Sequence, residues 1–369
     1  MIIFLSILIG LVTILFLITI HEFAHFIVAK LSGAYVYEFS IGMGPKLFQW
    51  GKKETRYTVR LLPLGGYVSI ASEIVDPPKG REEETVEEKQ LMENLHRGKK
   101  ALFISAGALM NLLIAFILLM VGYAIFPYKQ DLNLAPTFTN YGPVSEAVVQ
   151  YNQEHEDNII VDGDVIVKIK NINKIGSDAN IANYYQLNDW IQKNNVKSDE
   201  KEPFIEITFS AGQIVSGIEP KSTDNYFLGV TASSQYLNAG QVIGSGFVDT
   251  FKNSYSVLQA LGKMVTFQWG ELSGPVGIIK STSSFLDPNL STQQSFSTFF
   301  RWTSLLSANL FLLNMIPIPP LDGYKFAENA VEAVTRKKLN PKFKIVVSII
   351  GALLFLGIFI AITIKDIWF

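Results

Sequence analysis

The sequence predicts a polytopic α-helical membrane protein with four membrane segments, a membrane-associated β-region and an inserted small β-rich domain. Three observations predict this class. Of 369 residues, 49% are hydrophobic and 17% charged, where a soluble domain carries about 25% charged residues; the mean hydropathy is +0.26. Apolar runs long enough to enter a bilayer recur at four places along the chain. Between the second and third of them, turn residues separate short stretches of alternating polar and apolar residues.

The elements follow in order. Residues 1–34 form the first membrane helix: residues 2–20 carry no charge, enough to cross a hydrocarbon core of about 30 Å. A cleaved signal peptide needs a basic n-region and a small-residue cleavage site, whereas this run starts Met-Ile-Ile-Phe-Leu and leads into His21-Glu22, so a retained span is expected. Residues 35–97 form the β-region and an acidic loop. Tyr57-Thr58-Val59-Arg60-Leu61 alternates as a strand does, residues 62–68 read as a turn flanked by apolar residues, and residues 73–95, with Glu82-Glu83-Glu84 and Glu87-Glu88, read as a solvated helix or loop. Residues 98–127 form the second membrane helix around the uncharged run 101–126. Residues 130–236 form the β-rich domain, of normal size for one core: strands are expected after Asp162-Gly163-Asp164, at 204–209 and at 227–230, and a short helix at 187–192. In the linker 237–300, residues 242–265 suit an amphipathic helix at the membrane surface. Residues 301–335 hold an irregular third membrane segment, interrupted by Pro317, Pro319 and Pro320. Residues 343–366 form the fourth membrane helix around the uncharged run 345–364.

Basic residues in short loops mark the cytoplasmic side. Lys30, Lys46, Lys52, Lys53, Arg56, Arg60, Arg97, Lys99 and Lys100 lie between the first two spans, and Arg336, Lys337, Lys338, Lys342 and Lys344 between the last two. Both loops are therefore expected in the cytoplasm, and the β-rich domain and both termini outside it.

Composition narrows the chemistry. With 31 basic and 33 acidic residues the net charge is −2, so the basic field of a nucleic-acid-binding protein is missing and no nucleic-acid partner is expected. Cysteine is absent, which removes disulfides, thiol nucleophiles, iron–sulfur clusters and thiolate zinc sites. A metal would have to be held by His, Asp or Glu, and only four histidines exist, His21, His25, His96 and His155.

His21-Glu22-Phe23-Ala24-His25 is an H-E-x-x-H pattern. Side chains four apart share a helix face, so both imidazoles reach one ion, and Glu22 is placed to act as general base on a water that zinc acidifies to a pKa of about 7. The plain alternative is a polar helix end. Apolar character, however, continues from Phe26 to Ala29 before Lys30, which puts His21 about 13 Å inside Lys30 at 1.5 Å per residue, and ionisable groups at membrane depth are costly and functional by default. Zinc lacks a third protein ligand here. Asp322 is the carboxylate of the third apolar run, beside prolines and Gly323. Broken backbone at membrane depth is tolerated only inside protein or beside a wet cavity. Asp322 is thus a third ligand or, alternatively, a cap on the following helix.

At this point the chain resembles the site-2 protease family of intramembrane zinc metalloproteases, in the bacterial class with one PDZ-like domain. The resemblance is carried by His21–Phe26, by Phe39-Ser40-Ile41-Gly42-Met43-Gly44-Pro45, by Leu62-Pro63-Leu64-Gly65-Gly66-Tyr67-Val68, by Ser105-Ala106-Gly107-Ala108-Leu109-Met110-Asn111, by Gly274-Pro275-Val276-Gly277-Ile278, and by the stretch from Asn309 to Asn314 followed by Leu321-Asp322-Gly323. It implies that His21, His25 and Asp322 bind Zn2+, that Glu22 activates water, and that Asn314 holds the substrate peptide near the metal. It also implies that the β-region, with Gly65, Gly66 and Tyr67, presents a strand edge to an unwound substrate segment. Unwinding is needed because a transmembrane helix hides its carbonyls in internal hydrogen bonds. Position 108 is Ala where the family usually has Pro, and position 324 is Tyr where a second Gly is common.

The expected function is hydrolysis of peptide bonds in or near transmembrane segments of single-span proteins in the bacterial cytoplasmic membrane, with the active site toward the cytoplasmic side. Partners implied are transmembrane protein or peptide substrates, membrane lipid and an upstream site-1-type protease. The role would be signalling, as in release of anti-sigma factors, or clearance of signal peptides. The alternatives are an inactive scaffold that binds peptides through the PDZ-like domain, and a metal-ion transporter. An intact His21, Glu22, His25 and Asp322 set disfavours the scaffold, and the absence of a visible inverted repeat disfavours the transporter.

Overall fold

The computed structural model describes residues 2–368 except 52–53, 74, 131–135, 139–142, 162–163, 173–176, 183, 194–204, 219–229, 233, 266–276, 279–280, 287–289 and 338. The chain divides into two compact units, Met1–Phe126 with Asn238–Phe369, and Pro127–Leu237.

The first unit is built on helices. α1 (Ile2–Ser32), α2 (Arg97–Ile125), α5 (Ala239–Val265), α6 (Thr292–Met315), α7 (Asp322–Thr335) and α8 (Pro341–Trp368) belong to it. Among the described residues, three helices are long and apolar enough to cross a membrane: Phe4–Ser32, Arg97–Ile125 and Lys342–Asp366. α6 is not among them, because its first turns are polar and Arg301, Thr303, Ser304 and Ser307 lie along it. Three serines along it have partners on α2. The Ser297, Ser304 and Ser307 hydroxyls donate to the carbonyls of Gly122, Ala115 and Asn111 at 2.6–2.7 Å. Small side chains let the two backbones approach, and the hydroxyls replace solvent as partners.

Between α1 and α2 lie β1 (Val36–Trp50) and β2 (Arg56–Ile70), two bent strands that pair antiparallel. The register is doubled: Phe39 faces Val68 and Tyr57, Ser40 faces Tyr67 and Thr58, and Ile41 faces Gly66 and Val59. Residues 39–41 thus run between two stretches of β2, and 66–70 pair with β1 on one side only among the described residues. The turn expected at 62–68 is not a break. The chain stays extended there, because Gly65 at φ +105° bends the strand where an L side chain would be strained.

A buried ion pair fixes the bend. Glu38 is 4% exposed and accepts from Arg60 Nη2 at 2.9 Å. Arg60 also donates to Tyr67 Oη at 2.6 Å, Gly44 O at 2.7 Å and Ser40 Oγ at 3.1 Å. Burial pushes Glu38 up, but the hydrogen bonds it accepts and the Arg60 charge outweigh it and hold the carboxyl below its ordinary range.

The acidic stretch 73–95 is a largely exposed loop anchored by one buried cation. Arg81, 3% exposed, donates to the Tyr37 carbonyl at 2.6 Å and pairs with Glu84, which also accepts from Tyr35 Oη. The segment is an irregular strap with two short 3-10 turns, Glu88–Gln90 and Met92–Asn94, pinned to the start of β1.

The second unit has its own core. α3 (Pro143–Glu154) and α4 (Tyr184–Lys193) accompany a four-stranded antiparallel sheet of order β6 (Ala179–Asn180), β5 (Ile166–Asn171), β7 (Ile205–Phe209), β8 (Ile214–Ile218). Alternation along β7 buries Ile205, Ile207 and Phe209 against Val144, Leu187 and Trp190. Two short pairs accompany it, β3 (Tyr128–Gln130) with β10 (Ser234–Tyr236), and β4 (Pro136–Phe138) with β9 (Val230–Ala232). The strand expected at 204–209 is found, and that at 227–230 lies largely outside the described residues. Of the polar stretch 149–160, residues 149–154 end α3 and 155–160 turn back along it, held by Asn152, whose amide bonds both the N–H and the carbonyl of Ile160 at 2.8 Å.

Candidate metal centre

Three side chains far apart in sequence meet inside the first unit. His21 and His25 lie one helical turn apart on α1 and are 7% and 6% exposed. Asp322 opens α7. Its Oδ2 lies 3.1 Å from His21 Nε2 and 3.1 Å from His25 Nε2, and the two Nε2 atoms are 3.1 Å from each other. Among the described residues, this is the group of His, Asp and Glu whose donor atoms converge closely enough to hold a metal ion.

Asp322 reaches that point because its helix starts there. Met315 ends α6, the turn 316–321 contains the cis Pro319-Pro320 bond, and the N-cap of α7 is Leu321 without a side-chain cap bond. The Asp322 carboxylate is therefore directed to the histidines rather than to helix amides. Gly323 is pressed against the Met315 and Ile316 carbonyls, where a Cβ would collide.

α2 supplies the floor. Phe103, Gly107 and Asn111 are spaced by four and share one helix face. The Phe103 carbonyl accepts from His25 Nδ1 at 2.8 Å, and the Asn111 amide lies 3.1 Å from His21 Nδ1. Gly107 leaves the room: a Cβ there would overlap both imidazole rings.

The donor set fits zinc. Because a carbonyl can only accept, His25 carries a proton on Nδ1, which leaves Nε2, on the side of Asp322 and His21, as the nitrogen that would bind a metal. Two imidazole nitrogens and a carboxylate oxygen form the ligand class zinc takes in hydrolytic sites, and tetrahedral bonds of about 2.0–2.1 Å would separate ligand atoms by about 3.3 Å, close to the observed 3.1 Å.

Glu22 is adjacent in sequence and half-buried. Gly66 of β2 passes beside it, since a Cβ on Gly66 would touch Glu22 Cγ at 3.4 Å and press on the Ser40 carbonyl. Gly65 and Gly66 are both buried. The Tyr67 hydroxyl is engaged by Arg60. Asn314 is half-buried in the last turn of α6, at the entrance to the turn that carries Asp322. His96 caps α2 by accepting from Gly98 N, and His155 bonds the Tyr151 carbonyl; neither joins the cluster. Gly107 and Asn111 were not singled out as site residues by sequence reasoning. Their signal was a glycine and an amide four apart inside an uncharged run.

A helical membrane-type frame, H-E-x-x-H on its first helix and a carboxylate brought in by a broken helix define a membrane-embedded metallopeptidase. The model of peptidase family M50 matches residues 9–358. The chain belongs to that family, the site-2 proteases. It is 29% identical over 359 residues to a candidate zinc metalloprotease of Clostridium perfringens, covering 96% of each chain. It is 26% identical over 437 residues to the zinc metalloprotease RasP of Shouchella clausii, covering 95% of this chain and 96% of that one.

Proposed function

We propose that this protein is an intramembrane zinc metalloendopeptidase in which His21, His25 and Asp322 hold the metal and Glu22 is the general base. The observation that carries the reading is the triangle of three ligand atoms, each 3.1 Å from the others, with Glu22 next in sequence to His21. When bound, zinc supplies Lewis acidity that lowers the pKa of water to about 7 and polarises the scissile carbonyl. Glu22 takes the proton from the attacking water and delivers it to the leaving amide nitrogen. Asn314 donates to the substrate carbonyl from the side of α6. The edge of β2 at 66–70, beside Glu22, accepts an unwound substrate segment as an added strand, through backbone at Gly65, Gly66 and Tyr67.

In this reading α6 is a fourth membrane segment whose polar seam is satisfied by α2. The loops rich in Lys and Arg face the cytoplasm of a bacterial cell, the unit 127–237 is a PDZ-like domain on the other side, and the active site opens toward the cytoplasmic face. Substrates are single-span proteins shortened by an upstream site-1-type protease, or signal peptides. The test is cleavage of a single-span substrate by detergent-purified protein. Cutting by wild type, lost in Glu22→Gln and lost on chelation but restored by zinc, supports the reading; equal cutting by Glu22→Gln overturns it.

A further inference from the structure

We infer that Asn111 is the positioning residue that holds His21 in the tautomer able to bind metal; the inference rests on the metal-centre reading above. The two imidazoles meet α2 differently. His25 Nδ1 faces a backbone carbonyl at 2.8 Å, which fixes its proton on Nδ1. His21 Nδ1 faces a side-chain amide at 3.1 Å, and an amide can present either end.

With Nδ2 toward the ring, the amide donates, Nδ1 must be the acceptor, and the His21 proton sits on Nε2, directed into the cluster with Asp322. That proton occupies the lone pair a metal needs. This orientation also leaves Asn111 Oδ1 buried without a hydrogen-bond partner among the described residues, in a side chain 1% exposed. Turning the amide gives that acceptor the His21 N–H and puts Nδ2 in the place it held. With the amide turned, Oδ1 accepts from His21 Nδ1–H and Nε2 is bare. Asn111 is then to His21 what the Phe103 carbonyl is to His25. Both ligands are oriented from one face of α2, with Gly107 between them. Metal-binding histidines ordinarily give their second N–H to an acceptor of this kind, and loss of the acceptor typically costs 10–100-fold in metal affinity.

The experiment measures zinc affinity of the full-length protein by chelator competition in detergent, for wild type, Asn111→Asp and Asn111→Leu, with thermal unfolding of the metal-free forms as a fold check. Asn111→Asp keeps the acceptor and should bind zinc at least as tightly as wild type. Asn111→Leu keeps the bulk without the acceptor and should bind 10–100-fold more weakly. An Asn111→Leu affinity within twofold of wild type, or an Asn111→Asp variant as weak as Asn111→Leu, overturns the inference. A second measurement needs no variant at position 111. With only four histidines in the chain, nitrogen-labelled resonances of the zinc-loaded wild type should show a His21 Nδ1–H hydrogen-bonded to the Asn111 side-chain oxygen and slow to exchange with water, as the His25 Nδ1–H is, and a freely exchanging His21 Nδ1–H overturns the inference even if Asn111→Leu fails to fold. Wild type that binds no zinc sinks the metal-centre reading and this inference together, whereas one zinc per chain with an indifferent Asn111→Leu sinks this inference alone.

Discussion

His21 and His25 were legible in the sequence because helical periodicity alone puts residues four apart on one face. Asp322 was legible as the carboxylate of a broken apolar run that two histidines needed, with capping of the following helix as the alternative; the N-cap is Leu321. Gly107 and Asn111 were not legible as site residues, because their role depends on which face of α2 meets α1, and that is set by packing. Gly107 carries the sharpest residue-scale prediction. Its missing side chain is filled by both imidazole rings, so Gly107→Ala must displace a ligand from a buried, closely packed site. Zinc affinity should fall at least about tenfold, on the scale of ligand misorientation, while helix content by circular dichroism is unchanged. Wild-type affinity in Gly107→Ala would mean that α2 does not form the floor of the site.

Helices were legible where an uncharged apolar run was long, as in α1, α2 and α8, and strands where alternation was clean, as in β7. They were less legible where a bend or a seam intervened. The 62–68 stretch looked like a turn because Pro63, Gly65 and Gly66 are turn residues, yet partners on β1 keep it extended. α6 and the turn after it looked like one irregular membrane segment because Pro317, Pro319 and Pro320 interrupt the apolar run; the serines that face α2 were not legible as a helix–helix seam. Two predictions belong to this scale. Ser304→Ala removes the hydroxyl bonded to the Ala115 carbonyl and should cost only about 0.6 kcal/mol, the average for such bonds in membranes. Ser304→Leu should cost about 1–3 kcal/mol by forcing α6 from α2 and should also weaken zinc retention, since α6 leads to Asp322. Thermal unfolding in detergent with zinc counted before and after checks both, and equal effects of Ala and Leu would contradict the packing argument. The second concerns acid. The folded pKa of Glu38 lies below its ordinary 4.5. Its contribution to the β1–β2 bend is therefore present above pH 4.5 and is lost as pH falls through the lower folded value. Protection of the amides at 66–70, taken relative to the intrinsic exchange rate at each pH, should fall over that window in wild type. In Glu38→Gln protection should already be low at neutral pH and change less with acid; identical profiles would contradict the assignment.

At the scale of the whole molecule, the chain divides at Phe126 and Asn238; the stretch between them alternates like a soluble β-domain and the remainder does not. Which side of a membrane each part occupies rests on loop charge. The absence of cysteine makes that testable without background. Single substitutions Glu83→Cys, in the strap, and Glu156→Cys, in the second unit, should react with an impermeant thiol reagent from opposite sides of sealed vesicles, the first from the cytoplasmic side. Labelling of both from one side would contradict the proposed orientation.

The central claim is that this frame exists to hold one metal ion beside a base. Zinc counted per chain in purified protein tests it most directly. Wild type and Glu22→Gln should each hold one zinc ion, and His21→Ala, His25→Ala and Asp322→Ala should each lose it, because removing one of three protein ligands leaves zinc too few. Zinc retained at one per chain in the ligand variants would place the metal elsewhere and contradict the account.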